Sequence, residues 1–310
     1  MFKILITGST GFVGKNLVEK LSLKKFLIYE AFFDKERSLI NQVRKFDNKK
    51  IKSQFNFENI KNIDYVVNCA AILPSAKGKK KYNLTDYRKI NVEQTLNTAK
   101  QLLNKGVKRF IHISTILVEN FKEENNFQDS RDYYRISKLE CEIALMEFSK
   151  KTGLEVVILR PPLIYGKFVK GNFLSLLNLI HKKIPLPFKN IKNIRSYCGV
   201  DNLTDLITVC FNHPKAAGKI FSVSDGEDIT IGDLIEKISK YMQSSIILYS
   251  FPMLFLKLIS KLVFRTSAIN NLTESLRVDI SNTCKTLDWS PAFSLDHGIK
   301  KTVDWYLKNK

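Results

Sequence analysis

The sequence predicts an α/β protein built on a doubly wound parallel sheet, with a smaller, discontinuous C-terminal lobe. Three observations carry this. Short apolar runs alternate with helix-length segments from the N-terminus to Leu159. The first apolar run breaks into a turn holding Gly8, Gly11 and Gly14, and a helix follows at once. From Leu163 the alternation loosens into loop-rich sequence, as expected of a lobe assembled from separate pieces.

Ile4, Leu5 and Ile6 form the first run, apolar and partly β-branched as a buried parallel strand requires. Lys15–Leu23 reads as a helix with Leu17, Val18 and Leu21 inward. Between them Gly8 permits a tight turn, Gly11 lets backbone approach a pyrophosphate, and Gly14 lets helix and strand pack closely. Thr10, Phe12 and Val13 share that turn, and the helix start offers free N–H groups to an anion. Strand, glycine turn and helix in this order predict a dinucleotide site. Phe26–Phe33 is the second strand, ending in Asp34. A carboxylate there can accept both hydroxyls of an adenosine ribose, which favours NAD. Lys35 and Arg37 follow immediately and keep NADP as the alternative.

Residues 35–59 are polar and charged and read as surface helix and loop. Ile63–Asn68 is the next buried strand and runs into Cys69, Ala70 and Ala71. Ligands of open parallel sheets sit at such strand ends, where small side chains leave room. A helix is expected over 86–104, a strand over Val107–Ser114, a polar loop over 119–130, and a helix over 132–150. Glu155–Leu159 is the following strand, closed by Arg160, Pro161 and Pro162. Beyond it, Gly166–Pro187 and Arg195–Val200 read as loop-rich with one helix between. Asp201–Asn212 reads as a helix, Lys219–Val223 as a late strand, and Ile231–Met242 and Pro252–Phe264 as helices. The expected division is a cofactor domain over 1–165 and a substrate lobe over 166–310, with elements near 201–223 returning to the first.

A chain of 310 residues, 44% hydrophobic and 26% charged, can bury a large core. The five cysteines are scattered without a CxxC pair, and the four histidines show no metal-ligand spacing. This argues against a disulfide framework or a zinc site and for a reducing cytoplasm. Because strand one starts at the N-terminus, no signal peptide is expected. The net charge of +20 admits an acidic ligand, nucleic acid or an anionic membrane surface. Lys77–Lys81 is a genuine basic cluster but lacks the interleaved aromatics of single-strand binding, so no specific nucleic-acid partner is expected. Ile246–Phe264 is strongly apolar, with Lys257, Lys261 and Arg265 recurring along one side. Pro252 and those charges argue against a membrane span, leaving a packed lobe helix or one lying on anionic lipid.

The chemistry centres on Tyr134 and Lys138, whose spacing of four puts both on one helix face. A neighbouring ammonium is expected to lower the phenol's pKa and make it a usable proton carrier. Such a pair can move a proton at a sugar hydroxyl while hydride moves at its carbon. Ser114 or Thr115, at a strand end, can supply a hydroxyl that shares the substrate oxygen.

These pieces resemble the extended short-chain dehydrogenase/reductase family, the NAD-dependent epimerase/dehydratases of nucleotide sugars. The resemblance rests on TGSTGFVG (Thr7–Gly14), VVNCAA (Val66–Ala71), INVEQTLN (Ile90–Asn97), HIST (His112–Thr115), YRISK (Tyr134–Lys138), LRPPLIYG (Leu159–Gly166), RSYCGVDNLTDLI (Arg195–Ile207) and LDWSP (Leu287–Pro291), which span nearly the whole chain. It implies a Rossmann lobe for NAD(P) and a small C-terminal lobe for a nucleotide sugar. It implies Tyr134 as the catalytic acid/base and Lys138 as its tuner, holding the nicotinamide ribose. Thr115, with Ser114 beside it, would be the hydroxyl residue. Gly8, Thr10, Gly11, Phe12, Val13 and Gly14 would line the pyrophosphate, Asp34 the adenosine ribose, and Ala70, Ala71 and Pro161 the rest of the cofactor. Asn91 matches a structural asparagine behind the site. Asn172 falls where the family touches the sugar nucleotide, and Arg195 where it clamps the diphosphate.

Ile116 and Leu117 replace the acidic pair that drives dehydration in one branch, which disfavours that reaction. A second phosphate-binding arginine has no clear match in residues 268–277. The segment from GKFVKGNF (Gly166–Phe173) to RSY (Arg195–Tyr197) and the apolar lobe helix resemble a bacterial subgroup of UDP-glucose 4-epimerases and UDP-4-keto-sugar reductases of O-antigen and capsule synthesis. This resemblance implies hydride transfer at C4 of a UDP-hexose or UDP-N-acetylhexosamine, and a homodimer working in the cytoplasm near the inner face of the membrane. Reduction of a UDP-4-keto-sugar is the alternative outcome. A non-catalytic cofactor-binding scaffold is the alternative class, disfavoured by the intact Tyr134–Lys138 pair.

Overall fold

Ile4, Leu5 and Ile6 are wholly buried, and the strand they centre, β1 (Phe2–Thr7), lies inside the main sheet. The computed structural model describes residues 1–24, 26–33, 39–46, 54–74, 82–119, 132–251 and 274–310. Asp34, Lys35, Arg37, the Lys77–Lys81 cluster and the Pro252–Phe264 segment lie outside the described residues.

The elements run β1, α1 (Phe12–Ser22), β2 (Phe26–Phe33), β3 (Ile40–Lys45), β4 (Gln54–Asn56), β5 (Tyr65–Asn68), α2 (Leu84–Tyr87), α3 (Gln94–Leu102), β6 (Arg109–Ile113), α4 (Tyr133–Thr152), β7 (Glu155–Arg160) and β8 (Leu163–Tyr165). They continue with α5 (Gly171–His181), β9 (Arg195–Gly199), α6 (Val200–Asn212), β10 (Lys219–Ser222), β11 (Asp228–Ile229), α7 (Ile231–Met242), α8 (Ser281–Leu287) and α9 (Leu295–Lys308). The main sheet has the order β10-β7-β6-β5-β1-β2-β3-β4. Its strands are parallel from β10 through β2, and β3 and β4 add on antiparallel. The doubly wound parallel sheet is therefore present. From β1 the chain goes first to β2 on one side and later to β5 on the other, so the winding direction reverses between β1 and β5. Ligands of such sheets bind at that reversal.

Two segments correct the sequence reading. Residues 35–59 were expected as helix and loop, but strands β3 and β4 lie there. Ile40 and Val43 are both buried although three residues apart, because the β2–β3 register shifts at Phe32–Phe33. That irregularity removes the two-residue period by which a strand is recognised. Arg195–Val200 was expected to be loop, but Arg195–Gly199 is a strand buried at every position. It forms a second, three-stranded sheet, β11-β9-β8, with β8 parallel and β11 antiparallel to β9.

The chain divides into two compact units: Met1–Pro161, Thr204–Val223 and Ser281–Ser290 form the first, and Pro162–Leu203, Ser224–Ile280 and Pro291–Lys310 the second. The first is packed around Leu5, Val66, Phe110, Val156 and Ile158, all wholly buried, with the helices α3 and α4 supplying Ala99, Leu102, Cys141 and Leu145. The second has a polar centre. The Asp225 carboxylate accepts from Tyr165 Oη, Gly199 N and Asn202 Nδ2, each at 2.7 Å, and so ties β8, β9 and the start of α6 together. None of the five cysteines is in a disulfide. Among the described residues no helix is long and apolar enough to cross a membrane, and no group of His, Cys, Asp and Glu is placed to hold a metal ion.

Candidate active site

The site of the first unit is built at the ends of β1, β5 and β6. Gly8 takes φ +65°, a left-handed conformation that a side chain resists. A Cβ added there would sit 2.7 Å from Ala70 N, and one added at Gly14 would sit 2.3 Å from Gly8 O. The turn is thus closed on itself backbone to backbone, with Gly11 N donating to Gly8 O at 2.9 Å. Helix α1 starts at Gly11 with no side-chain cap and no acidic residue in its first turn. The N–H groups of a helix's first turn have no partner within the helix and can donate to an anion. Thr10, Phe12 and Val13 border the same turn. These features fit a dinucleotide's pyrophosphate. Asp34 lies outside the described residues.

Opposite the turn, the end of β5 is locked by side chains that the sequence reading did not single out. Thr7 pairs with Asn68 across the parallel β1–β5 ladder. The Thr7 hydroxyl donates to Asn68 Oδ1 and accepts from Ala70 N at 3.3 Å. Ala70 and Ala71 then leave the strand half-buried. Asn91 is buried in a π-turn that links α2 to α3. Its Oδ1 accepts from Ile72 N at 2.8 Å, and its Nδ2 donates to Ile72 O at 3.3 Å and Ser137 Oγ at 2.9 Å. Asn91 therefore clips the segment after β5 to α4, the helix that carries Tyr134 and Lys138. Single π-turns in helices are often found at functional sites.

Tyr134 and Lys138 stand one turn apart near the start of α4, whose first turn is capped by the Asp132 carboxylate accepting from Arg135 N at 3.1 Å. Lys138 is 1% exposed. Its Nζ donates to Ile113 O at 2.6 Å and lies 3.0 Å from His112 Nε2. Tyr134 is half-buried, its ring edge-on to Tyr87 at 6.5 Å. Here the structure corrects an expectation. The Tyr134 phenol is pushed up rather than down, by burial first and then by Asp132 and Tyr87. Lys138 is pushed down, chiefly by burial. Its nitrogen is turned toward strand β6.

Ser114 and Thr115 follow β6 directly, and both are buried. Ser114 Oγ has no hydrogen-bond partner, while Thr115 Oγ1 accepts from Leu117 N at 3.4 Å and caps a short 3-10 turn. A buried hydroxyl without a partner is costly unless something else completes it. Pro161 is buried at the end of β7, its carbonyl accepting from Ile116 N at 3.0 Å. The first unit thus holds the glycine turn, Ala70, Ala71, Ser114, Thr115 and Pro161 at strand ends, and Asn91, Tyr134 and Lys138 on helical segments. Asn172 and Arg195 belong to the second unit. Asn172 is half-buried in the first turn of α5. Arg195 is buried and donates through Nη1 to Glu274 O at 2.6 Å. On the same strand the Tyr197 hydroxyl is buried without a partner.

A glycine turn at the switch point of a parallel sheet, beside a Tyr–Lys pair one helix turn apart, fits a dinucleotide-dependent enzyme. The sequence profile of the NAD dependent epimerase/dehydratase family matches residues 4–232. The chain is 40% identical to a UDP-glucose 4-epimerase of Vibrio cholerae, over 98% of this chain and 95% of that one. It is 24% identical to a dTDP-4-dehydro-6-deoxyglucose reductase of Escherichia coli, over 97% and 96% of the two chains. Its fold is similar to that of a UDP-glucuronic acid 4-epimerase from Bacillus cereus solved with NAD, with a TM-score of 0.73 and 20% identity over 99% of each chain. The chain belongs to the NAD dependent epimerase/dehydratase family of enzymes.

Proposed function

We propose that the protein is an NAD-dependent 4-epimerase of a UDP-hexose or UDP-N-acetylhexosamine. The observation that carries this reading is the Tyr134–Lys138 pair on α4, set beside the ends of β5 and β6. The similarity to the Vibrio cholerae UDP-glucose 4-epimerase over almost the full length of both chains supports the substrate class.

When bound, NAD supplies the hydride acceptor for a sugar carbon. The first turn of α1 would hold its pyrophosphate, and Lys138 its nicotinamide ribose. Tyr134 would take the proton from the C4 hydroxyl oxygen and, after the sugar has turned, return it to that same oxygen, the hydride going back to the opposite face of the carbon. Ser114 or Thr115 donates to that oxygen while it is a carbonyl. Ser114 Oγ is suited to this because it is buried and has no competing partner. In the second unit Arg195 would clamp the diphosphate and Asn172 would touch the sugar nucleotide. Asp34 would accept the adenosine ribose. Reduction of a UDP-4-keto-sugar uses the same residues in one direction, and the similarity to a 4-keto-sugar reductase favours keeping it as the second reading. The wider assignment is surface-polysaccharide synthesis by a homodimer.

The test is to incubate purified protein separately with UDP-glucose and UDP-N-acetylglucosamine and to follow the C4 epimers by proton NMR. Conversion without added cofactor supports the epimerase. Consumption of NAD(P)H at 340 nm with a UDP-4-keto-sugar, and no epimerisation, would replace it with the reductase.

A further inference from the structure

Helices α5 and α7 of the second unit end side by side. Ser244 Oγ, just past α7, donates to Ile180 O in the last turn of α5 at 3.0 Å. Helix α5 closes with Lys183 N donating to Ile180 O at 2.9 Å and Ile184 N donating to Leu179 O at 3.1 Å. This closure takes a left-handed residue, most often glycine. Here the residue is Lys183, at φ +55°. The two segments leaving the helices then pair in parallel at Leu186 and Leu248. Leu186 N donates to Ile247 O at 3.0 Å, and Tyr249 N donates to Leu186 O at 3.1 Å. Leu186 is buried, so Pro185, Ile247 and Tyr249 take the opposite face of the ribbon. Ile247 is 65% exposed and Tyr249 41%, and Ile184 beside the turn is 40% exposed. Scattered apolar residues on a surface are ordinary, but three in one short ribbon make a ridge. The charge around the ridge is basic. No Asp or Glu occurs from Lys167 to Val200 or from Lys237 to Phe251, although the chain has 30 of them in 310 residues. Lys182, Lys183, Lys189 and Lys240 are exposed there. Glu236, one helix turn before Lys240, is the carboxylate that shares a groove with Lys189 and Lys240.

We propose that this ridge docks the second unit onto the surface of an anionic lipid bilayer. Ile184, Ile247 and Tyr249 enter the interface, and the lysines meet the lipid phosphates. A nucleic-acid backbone would satisfy the lysines and leave the aliphatic tips in water. A bilayer interface takes both, and tyrosine suits that depth, with its ring among the chains and its hydroxyl among the headgroups. The long lysine stems let each ammonium reach the phosphates while the apolar tips go deeper. The attachment is peripheral: among the described residues no helix is long and apolar enough to cross a membrane. It does not rest on the activity proposed above.

Flotation of the full-length protein with lipid vesicles tests it. At about 0.1 M salt the protein should bind phosphatidylcholine vesicles containing about 30% phosphatidylglycerol at least about tenfold more tightly than phosphatidylcholine alone, and salt of about 1 M should release it. A lysine near such a surface is worth about fivefold in affinity, so Lys182→Gln with Lys183→Gln should weaken binding about 25-fold. Ile247→Ser with Tyr249→Ser should weaken it at least about tenfold. A thermal melt checks that each variant is folded, and sugar-nucleotide conversion without vesicles should be unchanged in both. If the serine pair does not fold, the lysine pair, whose side chains are exposed, decides alone. No binding, or equal binding to the two kinds of vesicle, overturns the proposal. So does parent-like binding by either folded variant, which places the contact elsewhere on the protein. A dimer in sedimentation that only the serine pair abolishes, with no vesicle binding, overturns it in favour of a second copy of the chain.

Discussion

Gly14 shows how little room the cofactor turn leaves. A methyl group there would meet Gly8 O at 2.3 Å, and both partners are backbone, so neither can swing away. Gly14→Ala is expected to lose about 1–3 kcal/mol of stability and at least about tenfold in NAD affinity. A thermal melt read beside a fluorescence titration with NAD checks both. Tyr134→Phe removes the hydroxyl and keeps the ring packed edge-on to Tyr87. It should bind cofactor as the parent does and lose about 10²–10⁴ in turnover; a variant within threefold of the parent rate would remove Tyr134 from the chemistry. Both residues are legible in the sequence because their meaning is local: a glycine turn lies within seven positions, and a Tyr–Lys pair within one helix turn. His112, Asn68 and Thr7 are not legible in that way. Their contacts run between β1, β5, β6 and α4, and they exist only once the parallel registers Thr7↔Asn68 and Asn68↔His112 are set.

At the scale of elements, the site depends on α4 being held against the end of β5. Asn91 does this with three hydrogen bonds from a buried π-turn. Asn91→Ala leaves the Ile72 N–H and C=O without these partners and should cost about 2–3 kcal/mol. Turnover should fall further than stability alone explains, because Ser137 and the Tyr134 carbonyl lie on the same string of bonds. Chemical denaturation and steady-state kinetics on the same preparation check this; equal turnover would mean that α4 keeps its place without the clip. Elements were legible in proportion to their regularity. Phe26–Phe33 and Ile231–Met242 lie where the apolar pattern put them. Strands β3 and β9 were missed for different reasons: β3 pairs across a register shift, and Arg195–Gly199 is polar in sequence but buried at each position, so neither shows alternation.

At the scale of the whole molecule, both units bury apolar cores, the first around Leu5, Val66 and Phe110 and the second around Leu177, Ile235 and Ile299. The second also holds a buried carboxylate, Asp225, whose pKa is raised by burial against the hydrogen bonds it accepts. Because the folded form binds its proton more tightly than the unfolded chain does, the contribution of Asp225 to stability is greatest below the ordinary carboxylate value of 3.8 and is lost as pH rises through the raised one. Asp225→Asn keeps an oxygen for Gly199 N and Asn202 Nδ2, and Tyr165 can still donate to Leu295 O at 3.2 Å. It should match or exceed the parent at pH 7, and lose that advantage near pH 4. Asp225→Ala, which removes the acceptor that Tyr165, Gly199 N and Asn202 share, should cost about 3 kcal/mol. Denaturant unfolding of both variants at the two pH values checks the sign.

The central claim is that this chain removes and restores hydrogen at one sugar carbon, C4, with Tyr134 moving the proton. UDP-glucose carrying deuterium at C4, incubated with the purified protein in ordinary water, tests it most directly. The account predicts that the C4 epimer accumulates with the deuterium still on C4, and that Tyr134→Phe stops this. Epimer that has lost its label to solvent, or epimer formed equally fast without the Tyr134 hydroxyl, would contradict it.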